Sequence, residues 1–150
     1  MFSAVATIVV GQNNRVLADD ETPVVTLGTS LTDSQKDGTL KILTAPLNGG
    51  NYQTITVTGS DLVRYLNPSG DNFTTSSGVW SSAMIQKTSS GSGINVKILD
   101  YNGKNNITTI TANQYKNAAL TAGITDANIY VTSAIPIDGS VLGWCLCCIR

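Results

Sequence analysis

The stretch ITTITANQYKNAALTAGITDANIYVTSAI, residues 107–135, decides how this chain folds, because it marks where a helix begins, where it ends and where a strand follows. Thr111 is a good N-cap, since its hydroxyl can accept a hydrogen bond from a first-turn amide, and Gln114 lies three residues later, as in a capping box. Gly123 suits the left-handed position that follows a helix. The stretch therefore predicts a helix between Thr111 and Gly123, followed by a strand at 129–135.

One side of this predicted helix is apolar. Tyr115, Ala118, Ala119 and Ala122 recur at the i, i+3, i+4, i+7 spacing that places side chains on a single helix face. Ile110, just before the cap, is placed to pack on Tyr115 as a hydrophobic staple. We therefore expect Tyr115 and Ala119 to be buried against a sheet that includes the neighbouring strands.

Shorter patterns on either side predict the other elements. Thr32 and Gln35 repeat the capping box and predict a helix over 33–44. Ser60 is the predicted cap of a short helix over 61–66. From alternation and β-branched content, strands are predicted at 23–27, 53–58, 80–88, 94–101 and 104–110.

Three of the predicted strands follow one another through short turns. Ser89-Ser90-Gly91-Ser92-Gly93 forms the first turn, and Asn102-Gly103, a strong hairpin signal, forms the second. Because tight turns join antiparallel neighbours, we expect residues 94–110 to form an antiparallel ribbon. The element order β-α-β-α-β-β-β-α-β predicts the α+β class, with a mixed, largely antiparallel sheet and helices packed on one face.

Composition excludes several kinds of catalytic site. The chain has no histidine, which rules out histidine triads and histidine-ligated zinc, and Glu21 is its single glutamate. Aspartates, lysines, tyrosines and hydroxyl groups remain as candidate catalytic groups. A net charge of -1 gives no electrostatic footprint for nucleic acid, and charged residues make up only 13% of the chain, where about 25% is usual.

Both ends of the chain differ from its middle. Residues 2–10 form an apolar run with the length of a signal-peptide core, too short to span a bilayer, which takes about 20 residues. No Lys or Arg precedes the run, and a buried N-terminal strand is the alternative. We expect a signal-peptide remnant at 1–18, an α+β domain at 19–139, and an atypical tail at 140–150 whose deletion leaves the fold intact.

Several residue groups are candidate binding sites, each with a structural alternative that we favour. The three cysteines of the tail, Cys145, Cys147 and Cys148, make an incomplete zinc site. The amides of residues 89–93 could bind an anion, but a plain turn is favoured. Asp100, Asn102 and Asn105 could offer oxygens to calcium, but lack the carboxylates of a calcium loop. Aromatic side chains could form a surface for sugar or peptidoglycan, though core packing is favoured: Tyr52, Tyr65, Trp80, Tyr101 and Tyr130.

Two glycosylation patterns, Asn72-Phe73-Thr74 and Asn106-Ile107-Thr108, complete the candidates. Asp61 could work with Lys97 or Tyr115, but the sequence alone does not bring them together. We assign no catalytic, cofactor-binding or metal-binding residue and expect no cofactor.

Four strings resemble one known family: VVTLGTSLT at 24–32, TITVTGSD at 54–61, GSGINVKI at 91–98 and ITANQYKNAALTAGITDANIYVTSAIPIDG at 110–139. They are similar to the YpuA-like family of secreted Gram-positive proteins, domain-of-unknown-function family 1002. The resemblance implies an exported protein without an assigned activity, and the family offers no catalytic residues to transfer. Since family members continue into a largely helical second half, it also implies that this chain is truncated to its N-terminal half.

Two functions remain as hypotheses. The first is an exported, non-enzymatic domain that binds or supports something outside the cell or at its envelope, with no nucleic acid partner and no stable membrane span. The alternative is an envelope-associated hydrolase using aspartate or hydroxyl groups, which requires two aspartates with shifted pKa values in one cleft. Its candidates are Asp33, Asp37, Asp61, Asp71, Asp100, Asp126 and Asp138.

Overall fold

The computed structural model describes residues 22–66, 74–76, 78–108 and 110–136. They form five strands and three helices, together with one 3₁₀ turn at Ala45–Leu47. In chain order these are β1 (Val24–Gly28), α1 (Asp33–Thr44), β2 (Gln53–Val57), α2 (Gly59–Leu66), β3 (Ser81–Lys87), β4 (Ile94–Ile98), α3 (Ala112–Thr121) and β5 (Ala127–Ser133). The predicted signal remnant at 1–18 and the tail at 140–150 lie outside the described residues.

The five strands form a single mixed sheet in the order β2-β1-β3-β5-β4. β1 pairs parallel with β2, and β4 pairs parallel with β5. β3 runs antiparallel to both β1 and β5 and lies at the centre. The sheet therefore consists of a first unit, β1-α1-β2, and a second unit, β4-α3-β5, held together by β3.

The two long helices pack on opposite faces of the sheet. Strand side chains alternate between faces, so Met84 points away from its neighbours Ala83 and Ile85. Met84 belongs to the cluster that contains Leu43 of α1, whereas Ala83 and Ile85 belong to the cluster that contains Tyr115 of α3. We call these sides the α1 face and the α3 face; the expectation that helices cover one face is wrong in this respect.

Helix α3 has the ends that the sequence predicts. The hydroxyl of Thr111 accepts from the Gln114 amide at 3.2 Å, and the Gln114 side chain accepts from the Thr111 amide at 2.8 Å. After the helix, Gly123 adopts φ 98°, and the Ile124 amide reaches back to the Ala119 carbonyl at 3.0 Å. This 6→1 bond closes a Schellman motif and satisfies a carbonyl that the helix leaves open.

Tyr115 and Ala119 are both fully buried, as predicted for the apolar side of α3. They pack with Ile129 and Val131 of β5. The opposite side of the helix carries the exposed Leu120.

The α+β class and the succession of elements are confirmed, with one difference. The return strand predicted at 104–110 is reduced to a single antiparallel bridge between Tyr101 and Lys104 around the Asn102-Gly103 turn. The antiparallel ribbon over 94–110 is therefore wrong. β4 pairs instead with β5, which lies parallel to it after the crossover through α3.

The turn at 89–93 also joins strands that are not neighbours. It connects β3 to β4, but β5 lies between them in the sheet. β5 carries buried side chains on both of its faces, as expected for an inner strand of the sheet. A short loop predicts antiparallel neighbours only when no later strand fills the gap. Within the described ranges, no helix is both long and apolar enough to cross a bilayer.

Candidate functional site

The glycine-rich loop at 89–93 binds a carboxylate that the protein itself supplies. Gly91 and Gly93 adopt φ values of 89° and 75°, so successive amides turn toward the same side. The Gly93 amide donates to Asp126 Oδ1 at 2.8 Å, and the Thr125 hydroxyl donates to Asp126 Oδ2 at 3.1 Å. The anion that this loop binds is therefore the Asp126 carboxylate of the same chain, and the contact holds the turn between α3 and β5.

These contacts set the ionisation of Asp126. The Gly93 amide does most to lower the pKa of its carboxyl, with further help from the Thr125 hydroxyl and the amides of Gly91 and Ser92, against a smaller opposing effect of burial. A lowered pKa keeps the carboxylate charged at neutral pH. A general acid needs the opposite shift, so this geometry suits a structural anchor better than proton donation.

Asp61 is also held by its own chain. Its carboxylate accepts from the amide and the hydroxyl of Thr58 at 2.9 and 3.1 Å, and the Thr58 hydroxyl accepts from the Asp61 amide. Thr58 is thus the cap of α2, and the prediction that Ser60 caps this helix is wrong. Lys97 lies on β4, at the opposite edge of the sheet from the β2–α2 connection, so the Asp61–Lys97 pair does not form.

The other described aspartates lie at exposed positions. Asp33 is in the first turn of α1, Asp37 is in the same helix, and Asp100 follows β4. Asp71 and Asp138 fall outside the described residues. Among the residues described, no three acidic or cysteine side chains are grouped to hold a metal ion, and the three tail cysteines lie outside that part of the chain.

A group of polar residues lies at the edge where β1, β2, β4 and β5 all end, which we call the carboxyl edge. Open sheets often bind ligands beyond such an edge. Here the edge is bonded internally. The Ser30 amide donates to the Val79 carbonyl at 3.0 Å, the Ser30 hydroxyl accepts from the Val79 amide at 2.8 Å, and Ser82 Oγ accepts from the Gly28 amide at 3.1 Å.

Close backbone packing explains why a glycine stands at the end of β1. A Cβ atom at Gly28 would lie 2.3 Å from the Val79 carbonyl oxygen, nearer than any real contact. On the other half of the edge, the Thr132 hydroxyl donates to the Leu99 carbonyl at 2.9 Å, and the Ser133 hydroxyl donates to the Ile135 carbonyl at 2.6 Å. The serines and threonines of this edge thus mostly tie strand ends together.

Ser81 is the exception at this edge. Its side chain is 4% exposed, and its hydroxyl has no hydrogen-bond partner among the described residues. A serine nucleophile needs an adjacent base, and the chain contains no histidine. The position alone does not make a nucleophilic site.

The aromatic side chains that the structure describes range from core packing to surface exposure. Trp80 and Tyr130 pack against the α1-face cluster, in line with core packing. Tyr101 lies over the glycine at position 38, where a Cβ would come 2.9 Å from the tyrosine hydroxyl oxygen. Tyr52 is 39% exposed near β2, and the side chain of Tyr65 is outside the described part.

Asn106 has a structural role that the sequence does not reveal. It is 6% exposed, and its Nδ2 donates to the Ser133 carbonyl at 2.8 Å. Two residues earlier on the same strand, the Val131 carbonyl accepts from the Leu99 amide. The side chain thus extends the β4–β5 ladder after β4 ends. Because a glycan would attach to that same nitrogen, Asn106 is closed to glycosylation in the folded domain.

The candidate calcium ligands Asn102 and Asn105 also have structural roles. Asn105 Oδ1 accepts from the Ile107 amide at 3.0 Å, which commits the oxygen to an Asx turn. Asn102 takes the left-handed conformation of the turn, with φ 50°. The two roles missed from sequence, those of Asn106 and Asp126, depend on partners 27 and 33 residues away. Asp126 directly precedes β5, which is a local signal, whereas Asn106 lies eight residues after the end of β4.

Comparison with known proteins gives one consistent answer. The family profile described as "Protein of unknown function (DUF1002)" matches residues 27–141. The chain is 36% identical over 117 residues to "Uncharacterized protein YpuA" of Bacillus subtilis (strain 168). That alignment covers 78% of this chain but 37% of the relative, so the chain spans well under half of the relative's length. No solved structure matches significantly.

Proposed function

Because this chain belongs to the family of proteins of unknown function called DUF1002, we propose that it is an exported domain that binds or supports components of the bacterial cell envelope without catalysing a reaction. Membership confirms the resemblance found in the sequence. The family and the relative carry no assigned activity, so the argument for this role comes from the residues themselves.

The observation that carries the proposal is the internal use of carboxylates. Asp61 binds the Thr58 amide and hydroxyl, and Asp126 binds the Gly93 amide. A hydrolase of the aspartate type needs two carboxylates facing a shared substrate, with one of them protonated. Asp126 has the reverse electrostatic bias, because its pKa is lowered.

Two features of the sequence support export: the apolar run near the N-terminus and the composition of the domain that follows it. Residues 2–10 have the apolar character of a signal-peptide core, and Val16-Leu17-Ala18 offers small or tolerated residues for cleavage before Asp19. The domain behind it is poor in charge and lacks cysteine up to residue 144, which avoids stray thiols in an oxidising compartment.

The test of location is fractionation of the source bacterium. Peptides from residues 22–136 are quantified by mass spectrometry in the medium, the washed cell wall and the cytosol, next to a cytosolic marker enzyme. We expect enrichment in the wall or the medium, and a mature N-terminus at Asp19. Recovery of a Met1 N-terminus that follows the cytosolic marker would contradict the proposal.

The test of binding against hydrolysis uses purified cell walls. The full chain should sediment with the walls, and should release no soluble reducing sugar or amine above a no-protein control. Asp61→Asn and Ser81→Ala should then bind like the unmodified chain. Release of fragments that either substitution abolishes would support the hydrolase instead.

A further inference from the structure

The two outer strands of the sheet differ in how their free edges are guarded. β2 and β4 each have one neighbouring strand in the described part of the chain. β4 carries the exposed Lys97, and α3 packs against it. Residues 48–60, which include β2, contain no charged side chain and no proline. Charges and proline are the usual devices that prevent an edge strand from pairing, and β2 lacks both.

The backbone of β2 shows which groups point outward. The Gln53 amide donates to the Pro23 carbonyl at 2.8 Å, and the Val57 carbonyl accepts from the Thr29 amide at 2.9 Å. Backbone groups alternate in direction along a strand, so those of Ile55 also point toward β1. The amides and carbonyls of Thr54 and Thr56 therefore point away from the sheet, and no described residue pairs with them.

We propose that two copies of this chain associate through β2, paired antiparallel across a two-fold axis at Ile55, so that two sheets join into one. This register places Thr54 opposite Thr56 of the other copy, and each such pair exchanges two backbone hydrogen bonds. Ile55 faces its own symmetry mate as a non-hydrogen-bonded pair. This register uses the outward-pointing amides and carbonyls of Thr54 and Thr56 for its hydrogen bonds. A shift by one residue would instead require backbone groups that point toward β1.

The side chains fit a second copy as well. The sequence Thr54-Ile55-Thr56 reads the same in both directions, so a two-fold axis at its centre places like opposite like. Thr54 and Thr56 are exposed on the α1 face, because α1 lies over β1, β3 and β5. Threonine pairs across strands are favourable, and the half-buried Ile55 would lose its remaining exposure against its mate.

The association is measured by sedimentation velocity of the full chain in reducing buffer, from about 1 μM to about 1 mM. Reducing conditions keep the cysteines at 145–148 from linking copies. We expect a concentration-dependent monomer–dimer equilibrium. In parallel, NMR hydrogen exchange should show that the amides of Thr54 and Thr56 become protected as concentration rises, while that of Val96 on β4 does not.

Matched variants test the register. The double variant Thr54→Lys/Thr56→Lys places like charges at both bonded pairs and should abolish the dimer. Thr54→Lys/Thr56→Glu places opposite charges there and should retain it. Asn95→Lys, an exposed change on the other edge strand, should leave the dimer unchanged.

Three results would overturn the proposal. The first is a chain that is monomeric at all concentrations, with the Thr54 and Thr56 amides unprotected. The second is protection of those amides at every concentration, which means that another segment of the same chain covers β2. Finally, a dimer that survives Thr54→Lys/Thr56→Lys is built on a different surface.

Discussion

The first unit, β1-α1-β2, and the second unit, β4-α3-β5, begin alike and end differently. Each is a parallel pair of strands joined by a helix, and each helix starts with a threonine and a glutamine that form a capping box. After that start the units diverge. α1 lies on one face of the sheet and reaches across to β5, whereas α3 lies on the other face, over its own edge strand.

This difference decides which outer strand has a long helix packed over it. α1 uses Leu43 and the half-buried Leu40 to pack over the centre of the sheet, leaving Thr54 and Thr56 of β2 exposed. α3 uses Tyr115 to pack over its own side of the sheet. The same local helix signal therefore places one long helix over an outer strand and the other over the centre of the sheet, and packing rather than capping sets the outcome.

The largest expected effect comes from the packing of the second unit. Tyr115→Ala removes a fully buried aromatic ring, and should lower the free energy of unfolding by about 3–5 kcal/mol, as for other buried aromatic truncations. Urea denaturation measures the loss. Leu120→Ala, on the exposed side of the same helix, should change it by less than about 0.5 kcal/mol. Equal losses for the two variants would mean that α3 packs through another side.

The corresponding change in the first unit is Leu43→Ala. Leu43 is fully buried on the α1 face, so its truncation should cost about 2–5 kcal/mol. Lys41→Ala, at an exposed position two residues earlier, is the control. Because both units share β3, each core variant should still unfold in a single transition. A second transition in either variant would show that the units are independent.

The two capping boxes should contribute equally to the stability of the domain. Thr32→Ala and Thr111→Ala each remove a hydroxyl that accepts a first-turn amide at 3.2 Å, so each should cost about 1 kcal/mol. Serine at either position keeps the acceptor and should recover most of the loss. Thermal denaturation at one pH compares the four variants. A loss of stability in only one of the two alanine variants would show that the two caps do not contribute alike.

The smallest effect concerns the link between the loop at 89–93 and the second unit. The pKa of the Asp126 carboxyl is lowered from 3.8 by the Gly93 amide above all, so its contribution to stability is fully present above that value and is lost as pH falls through the folded-state pKa. Asp126→Asn should therefore flatten the decline of Tm below about pH 4. Asp37→Asn, an exposed change, is the control. If Tm of Asp126→Asn declines at low pH as steeply as that of the unmodified chain, the contact does not have this role.

Local signals in the sequence predicted the helices well. The residues that mark each end of α3 lie within a few positions of that end, so Thr111, Gln114 and Gly123 were sufficient to place both ends. The burial of Tyr115 and Ala119 follows from helical spacing alone. Family membership was also visible in the sequence, because it rests on strings of residues and not on contacts.

Strand pairing was predicted less well, since it depends on partners far along the chain. The Asn102-Gly103 turn does form, but it closes a single bridge. The strand that pairs with β4 is β5, a parallel partner that comes about thirty residues after β4. The bonds of Asn106 and Asp126 could not be foreseen for the same reason. The face on which each helix packs depends on the crossover connection, which composition and spacing do not specify.

The most direct test of this account is the pattern of nuclear Overhauser effects between helix and sheet side chains. The opposed helices predict contacts from Leu43 to Val25 and Met84, and separate contacts from Tyr115 and Ala119 to Ile129 and Val131. No cross-peaks should join Tyr115 to Met84. Contacts from both helices to the same strand side chains would place them on one face and contradict the account.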